Sequence, residues 1–355
     1  MARKLVFAAI GLLMVALVAG LMFQRPLGES MFERAVTQRL TQGGLELEDG
    51  LHLGLCGTGS PLPNPDRAGP CNIVIAGEQA FIVDIGEGGA RNLNLMGIDI
   101  AGLDGLLLTH FHSDHIDGMG PLALLYWTQA NADAPLPLYG PQGVDELAEG
   151  FNAFYALDKT YRIAHHGEAI VPPAGFGVKA MPFEIGAEPV IMLERGGLTI
   201  TAFPVDHDPV RPSVGYRFDY KGRSIVISGD TSRSPMLERA AKGADILVHD
   251  ALQSKLVAHM TGALEDAGNG NTAQITRDIL DYHATPEDAA ASAQAAGVRH
   301  LVLSHLVPPI PSSFIYPAFL GDAESVFDGE ITVGEDGMLF SLPPGSEEIR
   351  TDKLL

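Results

Sequence analysis

A chain of 355 residues with 46% apolar and 19% charged side chains can bury a large core, which excludes disorder as its bulk state. Its 23 Lys and Arg stand against 44 Asp and Glu, a formal charge of −21. A field of that sign repels polyanions and concentrates cations, so nucleic acid is an unlikely partner on charge alone.

The chain opens on Arg3 and Lys4, followed by an uninterrupted apolar run over 5–23, 19 residues long. About 20 apolar residues cross a bilayer core, so residues 1–24 read either as a retained transmembrane anchor or as a signal segment cut after Val18-Ala19-Gly20. Both readings export the rest of the chain to the periplasmic or extracellular side. Residues 25–45 then read as a polar linker, 46–345 as one catalytic domain, and 346–355 as a tail. Strands are predicted at 51–56, 72–75, 80–85, 105–110, 198–205, 213–220, 224–228, 246–248 and 301–304. Helices are predicted at 90–96, 122–129, 144–156, 236–242, 273–282 and 286–296. The last carries Thr285 as N-cap, Pro286 at its first position, and Glu287 and Asp288 in its first turn. This alternation describes an α/β protein layered around sheets. The only cysteines, Cys56 and Cys71, form either one disulfide closing a short loop or two separate buried thiols.

The chemistry concentrates in His110-Phe111-His112-Ser113-Asp114-His115, which follows the apolar run 105–108. In an extended chain residues i and i+2 point to one side, so His110 and His112 can share a metal. Asp114 and His115, at the turn towards a helix, can face a second one. His207, Asp230 and His305 each stand directly after a short apolar run, where open-sheet enzymes gather ligand-binding groups. Neutral imidazole with carboxylate suits Zn²⁺, two per chain, with Fe or Mn as alternatives.

These segments resemble the metallo-β-lactamase superfamily, in the branch of tRNase Z and the arylsulfatase-like hydrolases. The resemblance runs through Gly57-Thr58-Gly59-Ser60-Pro61, Val83-Asp84-Ile85-Gly86 and the histidine cluster. It continues through Asp206-His207, Ser228-Gly229-Asp230-Thr231, Val248-His249-Asp250-Ala251, His283-Ala284-Thr285 and Leu303-Ser304-His305. It covers about residues 50–310 and implies an αββα four-layer sandwich with metals at one edge of the sheets. It also implies that His110, His112 and His207 hold one metal, that Asp114, His115 and His305 hold the other, and that Asp230 bridges them. Asp84 then orients a ligand histidine. His283 then assists the leaving group, an alternative to simple packing at a helix start. His249 has a supporting role, and His165-His166 lies either at the pocket mouth or on a solvated loop.

The usual tRNase Z arm between the third histidine motif and the bridging aspartate is missing, since His207 to Asp230 is 23 positions. With the acidic charge and the export segment, this makes the expected activity that of an exported hydrolase whose metal-bound hydroxide attacks a small anionic ester, a phosphodiester or an aryl sulfate. Asp114 would orient the nucleophile and His283 would assist departure. The alternatives are a lactone- or amide-opening hydrolase, a ribonuclease Z-like endoribonuclease, and a non-catalytic metal-binding membrane module. A homodimer is compatible with all of them.

Overall fold

Apolar, β-branched runs bounded by glycine and turn residues become strands, and two sheets grow from them. The computed structural model describes residues 2–41, 44–130 and 132–355, in two units, Met1–Glu46 and Leu47–Leu355. The strands of the second unit begin with β1 (Leu51–Gly57), β2 (Cys71–Ala76), β3 (Gln79–Ile85), β4 (Gly105–Leu107) and β5 (Leu136–Gly140). Next come β6 (Val178–Pro182), β7 (Val190–Arg195), β8 (Leu198–Pro204), β9 (Val214–Tyr220) and β10 (Arg223–Ile227). The series ends with β11 (Ile246–Leu252), β12 (His300–Val307), β13 (Glu330–Val333), β14 (Met338–Leu342) and β15 (Arg350–Lys353).

One sheet has the order β15-β14-β1-β2-β3-β4-β5-β6 and the other β13-β12-β11-β10-β9-β8-β7. Leu53, Leu55, Val83 and Leu107 of the first sheet share one core with Ile200, Tyr216, Phe218 and Ile225 of the second. Each fully buried leucine there stabilises the fold by roughly 1.5–3 kcal/mol relative to exposure. The outer face of the second sheet is covered by Ala289, Ala290 and Ala293 of the helix Pro286–Ala296. The helices Gly89–Leu95 and Met119–Gln129 pack on the first. This is the αββα arrangement. Strands β3 to β6 run parallel, as do β10 to β13. Their carboxyl ends therefore meet at one edge, where polar residues after each strand can converge.

Two irregularities aim side chains at that edge. The pairing of β11 with β12 shifts after Asp250/Ser304, so that Ala251 faces Leu306 and His305 is the extra residue. His305 has φ 46°, a left-handed conformation that a β-bulge makes tolerable and that re-aims its side chain. Asp84 has φ 58° at the corresponding shift between β2 and β3.

Several sequence expectations need correction. The apolar run 5–23 is the first half of a single helix, Ala2–Thr41, that continues through Pro26. Its later half carries charges, including the ion pair of Arg25 with Glu29 at 2.9 Å. The expected linker over 25–45 is thus helical as far as Thr41, while Met1 and residues 42 and 43 lie outside the described residues. Among the described residues no helix is long and apolar enough to cross a membrane, so the transmembrane anchor is withdrawn. The expected tail contains β15, whose pairing with β14 satisfies an edge that would otherwise be bare. The predicted helix 144–156 is two helices, Val144–Phe154 and Ala156–His166, and a further helix, Ser254–Asp266, was not foreseen.

Candidate metal centre

The carboxyl edge gathers all seven residues singled out in the sequence. His110 follows β4, Asp114 and His115 ride the short helix Ser113–Ile116, His207 follows β8, Asp230 follows β10, and His305 is the bulge of β12. His110, His112, His207 and Asp230 form one group whose ligand atoms all lie within 4.8 Å of one another, and Asp114, His115 and His305 form another. The groups meet at Asp230, whose Oδ2 is 3.2 Å from His115 Nε2, 3.3 Å from His305 Nε2 and 3.9 Å from His110 Nε2.

Hydrogen bonds behind the cluster decide which nitrogen His110, His115 and His207 turn inward. Asp84 accepts from the Thr109 backbone N–H at 2.8 Å and from the Thr109 hydroxyl at 2.7 Å. Because that hydroxyl donates to Asp84, its oxygen accepts from His110 Nδ1–H at 3.0 Å, leaving His110 Nε2 as a lone pair. His207 Nδ1–H donates to the Tyr282 carbonyl at 2.9 Å, and its Nε2 is buried without a partner. His110 Nε2 and His112 Nδ1 stand 3.0 Å apart. His110 and His207 thus turn inward lone pairs that no hydrogen-bond donor fixed elsewhere satisfies, with His112 Nδ1 converging on the same point. This donor set fits a divalent ion, and buried polar atoms without partners point to the same place.

The electrostatics agree. Burial holds His110 well below the ordinary histidine range, with the neighbouring His115 charge adding to the effect. His112 and His207 are lowered mainly by burial. Burial would also lower His115 and His305, but the adjacent carboxylates prevail and raise both. For Asp230 burial alone would raise the pKa; the His305 and His115 charges hold it well below the usual carboxylate range.

His283 lies beside this centre. Its Nδ1 is 2.8 Å from Asp250 Oδ2, and with Asp230 and His305 it forms a third group of close ligand atoms. A small cleft of about 60 Å³ joins His283 to His112, Asp114, Asp230 and His305, with Ser60, Pro61 and Leu62 on its wall. The loop carrying these three is closed by a Cys56–Cys71 disulfide, which settles the alternative left open by the sequence. It is also pinned by Asp336, which accepts from Thr58 N, Thr58 Oγ1, Ala68 N and Asn92 Nδ2 at 2.6–2.9 Å. Neither Asp336 nor Tyr282 was singled out in the sequence. Asp336 is distant in the chain from the loop it holds, and Tyr282 acts on His207 through a carbonyl that any residue would supply. His249 is buried, bonded through Nδ1 to Asp250, and outside the clusters. His165 and His166 end an exposed helix rather than a loop.

Fold and site together define a metal-dependent hydrolase. Residues 84–306 match the family model described as beta-lactamase superfamily domain, and the chain belongs to this family. It is 41% identical over 289 residues to a ribonuclease Z of Mycobacterium bovis (strain BCG / Pasteur 1173P2), a match spanning 81% of this chain and 96% of that one. The ribonuclease Z of Mycobacterium marinum (strain ATCC BAA-535 / M) is 37% identical over 288 residues, with the same coverage. Among solved structures, the metallo-beta-lactamase fold protein YhfI from Bacillus subtilis superposes with TM-score 0.59 at 20% identity, over 82% of this chain and all (100%) of that one. The short form of human tRNase Z gives TM-score 0.57 at 21% identity, over 82% and 99%. At these identities the structures speak for the fold alone.

The relatives overturn two expectations. Nucleic acid can no longer be set aside as a partner, because proteins 37–41% identical over four-fifths of this chain are named ribonuclease Z. The net charge of −21 sums the whole surface, whereas a site that gathers dications sets its own local field. Export to the periplasmic or extracellular side is withdrawn as well. It rested on the run 5–23 as an anchor or a cleaved signal segment, and that run is instead part of the single helix Ala2–Thr41, with no described helix long and apolar enough to cross a membrane.

Proposed function

We propose that this chain is a ribonuclease Z-like endoribonuclease, hydrolysing phosphodiester bonds of RNA with two zinc ions. One ion would be held by His110, His112 and His207, the other by Asp114, His115 and His305, with Asp230 between them. The observation that carries this reading is the sharing of Asp230 by two ligand groups with His283 beside both. The identity to proteins named ribonuclease Z supplies the bond class.

When bound, two such ions supply positive charge to a phosphate and acidify water. The chain's own residues do the rest. Asp114 lines the cleft beside His283, where its carboxylate can accept a proton from the attacking water. The water oxygen forms a bond to phosphorus as the P–O bond to the departing ribose breaks. His283, fixed through Nδ1 by Asp250 at 2.8 Å, keeps Nε2 as the nitrogen that can protonate the departing oxygen. The 60 Å³ cleft accepts a phosphate-sized group, and the RNA on either side must lie across its mouth.

The test is a hydrolysis panel on zinc-loaded protein, comparing a 3′-extended tRNA precursor, a bis-aryl phosphate and an aryl sulfate. Cleavage of the RNA that chelator abolishes and zinc restores is the expected result. Turnover of the sulfate alone, or RNA cleavage indifferent to chelator, contradicts the proposal.

A further inference from the structure

The cleft beside the ligand cluster is polar on one side and apolar on the other. His112, Asp114, Asp230, His283 and His305 make the polar side; Pro61, Leu62, Ile279, Tyr282 and Val307 make the apolar one. A phosphate needs only the first. The second has to be explained by whatever the phosphate is attached to. Leu62, Ile279 and Val307 continue into a small buried cluster with Leu252 and Val257, so they double as local core. Tyr282 does not belong to that cluster. It is half-buried, and its ring stands edge to face on His207 at 4.8 Å and tilted against His283 at 4.9 Å. Its hydroxyl has no hydrogen-bond partner among the described residues. Its orientation is therefore fixed by two site histidines, while its phenol is not used to hold the fold together.

We infer that half-buried Tyr282, with exposed Pro61 at the rim of the cleft rather than in the volume the phosphate fills, is a stacking subsite for a nucleobase adjacent to the scissile phosphodiester. The inference rests on the phosphodiesterase reading above and narrows it: the substrate is bound by one flat base as well as by its phosphate. Every base has an aromatic face, so such a subsite adds affinity without demanding a sequence. It also relieves an acidic chain of the need for many Lys and Arg contacts along the backbone.

The experiment uses full-length zinc-loaded protein and RNA oligonucleotides that are identical except for an abasic ribose on one side or the other of the cleaved bond. Loss of a stacked base weakens binding by roughly ten-fold or more. One of the two abasic substrates should thus raise KM about ten-fold with kcat little changed. Tyr282→Phe should keep this discrimination. Tyr282→Leu should abolish it, bringing the KM of the base-bearing RNA up to the abasic value. Equilibrium dialysis gives a readout free of turnover: adenosine monophosphate should bind about ten-fold tighter than ribose 5-phosphate to wild type and Tyr282→Phe, and equally to Tyr282→Leu. Wild type that cleaves RNA but ignores the missing base overturns the subsite and leaves the phosphodiesterase reading standing. Wild type that prefers the nucleotide in dialysis yet cleaves no RNA supports the subsite and overturns that reading. Should Tyr282→Leu fail to fold, the wild-type comparison of base with abasic decides alone.

Discussion

His115 Nδ1 donates to Asp84 Oδ2 at 2.8 Å, and the same oxygen accepts from Thr109, whose hydroxyl in turn accepts from His110. One buried carboxylate therefore fixes the tautomer of a histidine in each ligand group. The left-handed backbone at Asp84, φ 58°, is the strain accepted to place it there. Asp84→Asn tests this, because asparagine tolerates the same backbone but turns an N–H donor towards one of the groups that now donate to it. Zinc affinity of the variant, measured by competition with a chelator, should fall about 10–100-fold. Unchanged affinity would mean that the rings are held by something else.

The pairing of His283 with Asp250 predicts a different pattern. His283→Ala should lower kcat about 10²–10⁴-fold, the usual contribution of a positioned acid, while zinc content stays at the wild-type value. Asp250→Asn should lower kcat less, since it misorients the imidazole without removing it. If metal is lost from His283→Ala in proportion to activity, His283 is a ligand and its assigned role is wrong.

Stability should carry a pH signature from a histidine remote from the metals. His52 is buried between Ser341 Oγ at 2.9 Å and the Glu48 carbonyl at 2.9 Å, and burial holds its pKa below the ordinary value of 6.5. The unfolded chain then binds a proton below pH 6.5 that the folded chain refuses. Its contribution is present above pH 6.5 and is lost as the pH falls towards the depressed folded value. Denaturation of zinc-saturated protein should show a shallower loss between pH 7.5 and about 5.5 in His52→Asn than in wild type. Parallel slopes would contradict this.

The disulfide closes 15 positions around the loop that lines the cleft. A loop of that length should contribute about 3 kcal/mol through the restricted unfolded chain. The double variant Cys56→Ser, Cys71→Ser should lose stability of that order in denaturant, and its KM should rise because Ser60 to Leu62 are less firmly held. A loss under about 1 kcal/mol with unchanged KM would reduce the bridge to an ornament of the fold.

The candidate ligands were legible in the sequence wherever they lie close in the chain or directly after apolar runs. His110, His112, Asp114 and His115 fall within one turn of chain, and His207 and Asp230 follow β8 and β10 as anticipated. His305 was found for a partly mistaken reason, since it sits within β12 and reaches the site through a bulge that no periodicity announces. Edge strands β6 and β15 were missed because β15 is exposed throughout and β6 buries only Val178 fully, so neither shows the apolar alternation that marks a half-buried strand. Asp336 and Tyr282 act across the fold, so their parts follow from tertiary contacts rather than from any local pattern. The misreadings about partners and export share one cause: summed properties, net charge and an apolar run, were made to answer questions that depend on placement.

If the seven converging side chains hold two ions as proposed, phosphodiester cleavage requires both. Zinc titration of metal-free protein, followed by cleavage of the 3′-extended RNA, tests it most directly. Activity should rise to a break at two equivalents per chain in wild type and stay near zero throughout in Asp230→Asn. Full cleavage before any zinc is added, or an Asp230→Asn curve that overlays the wild type, contradicts it.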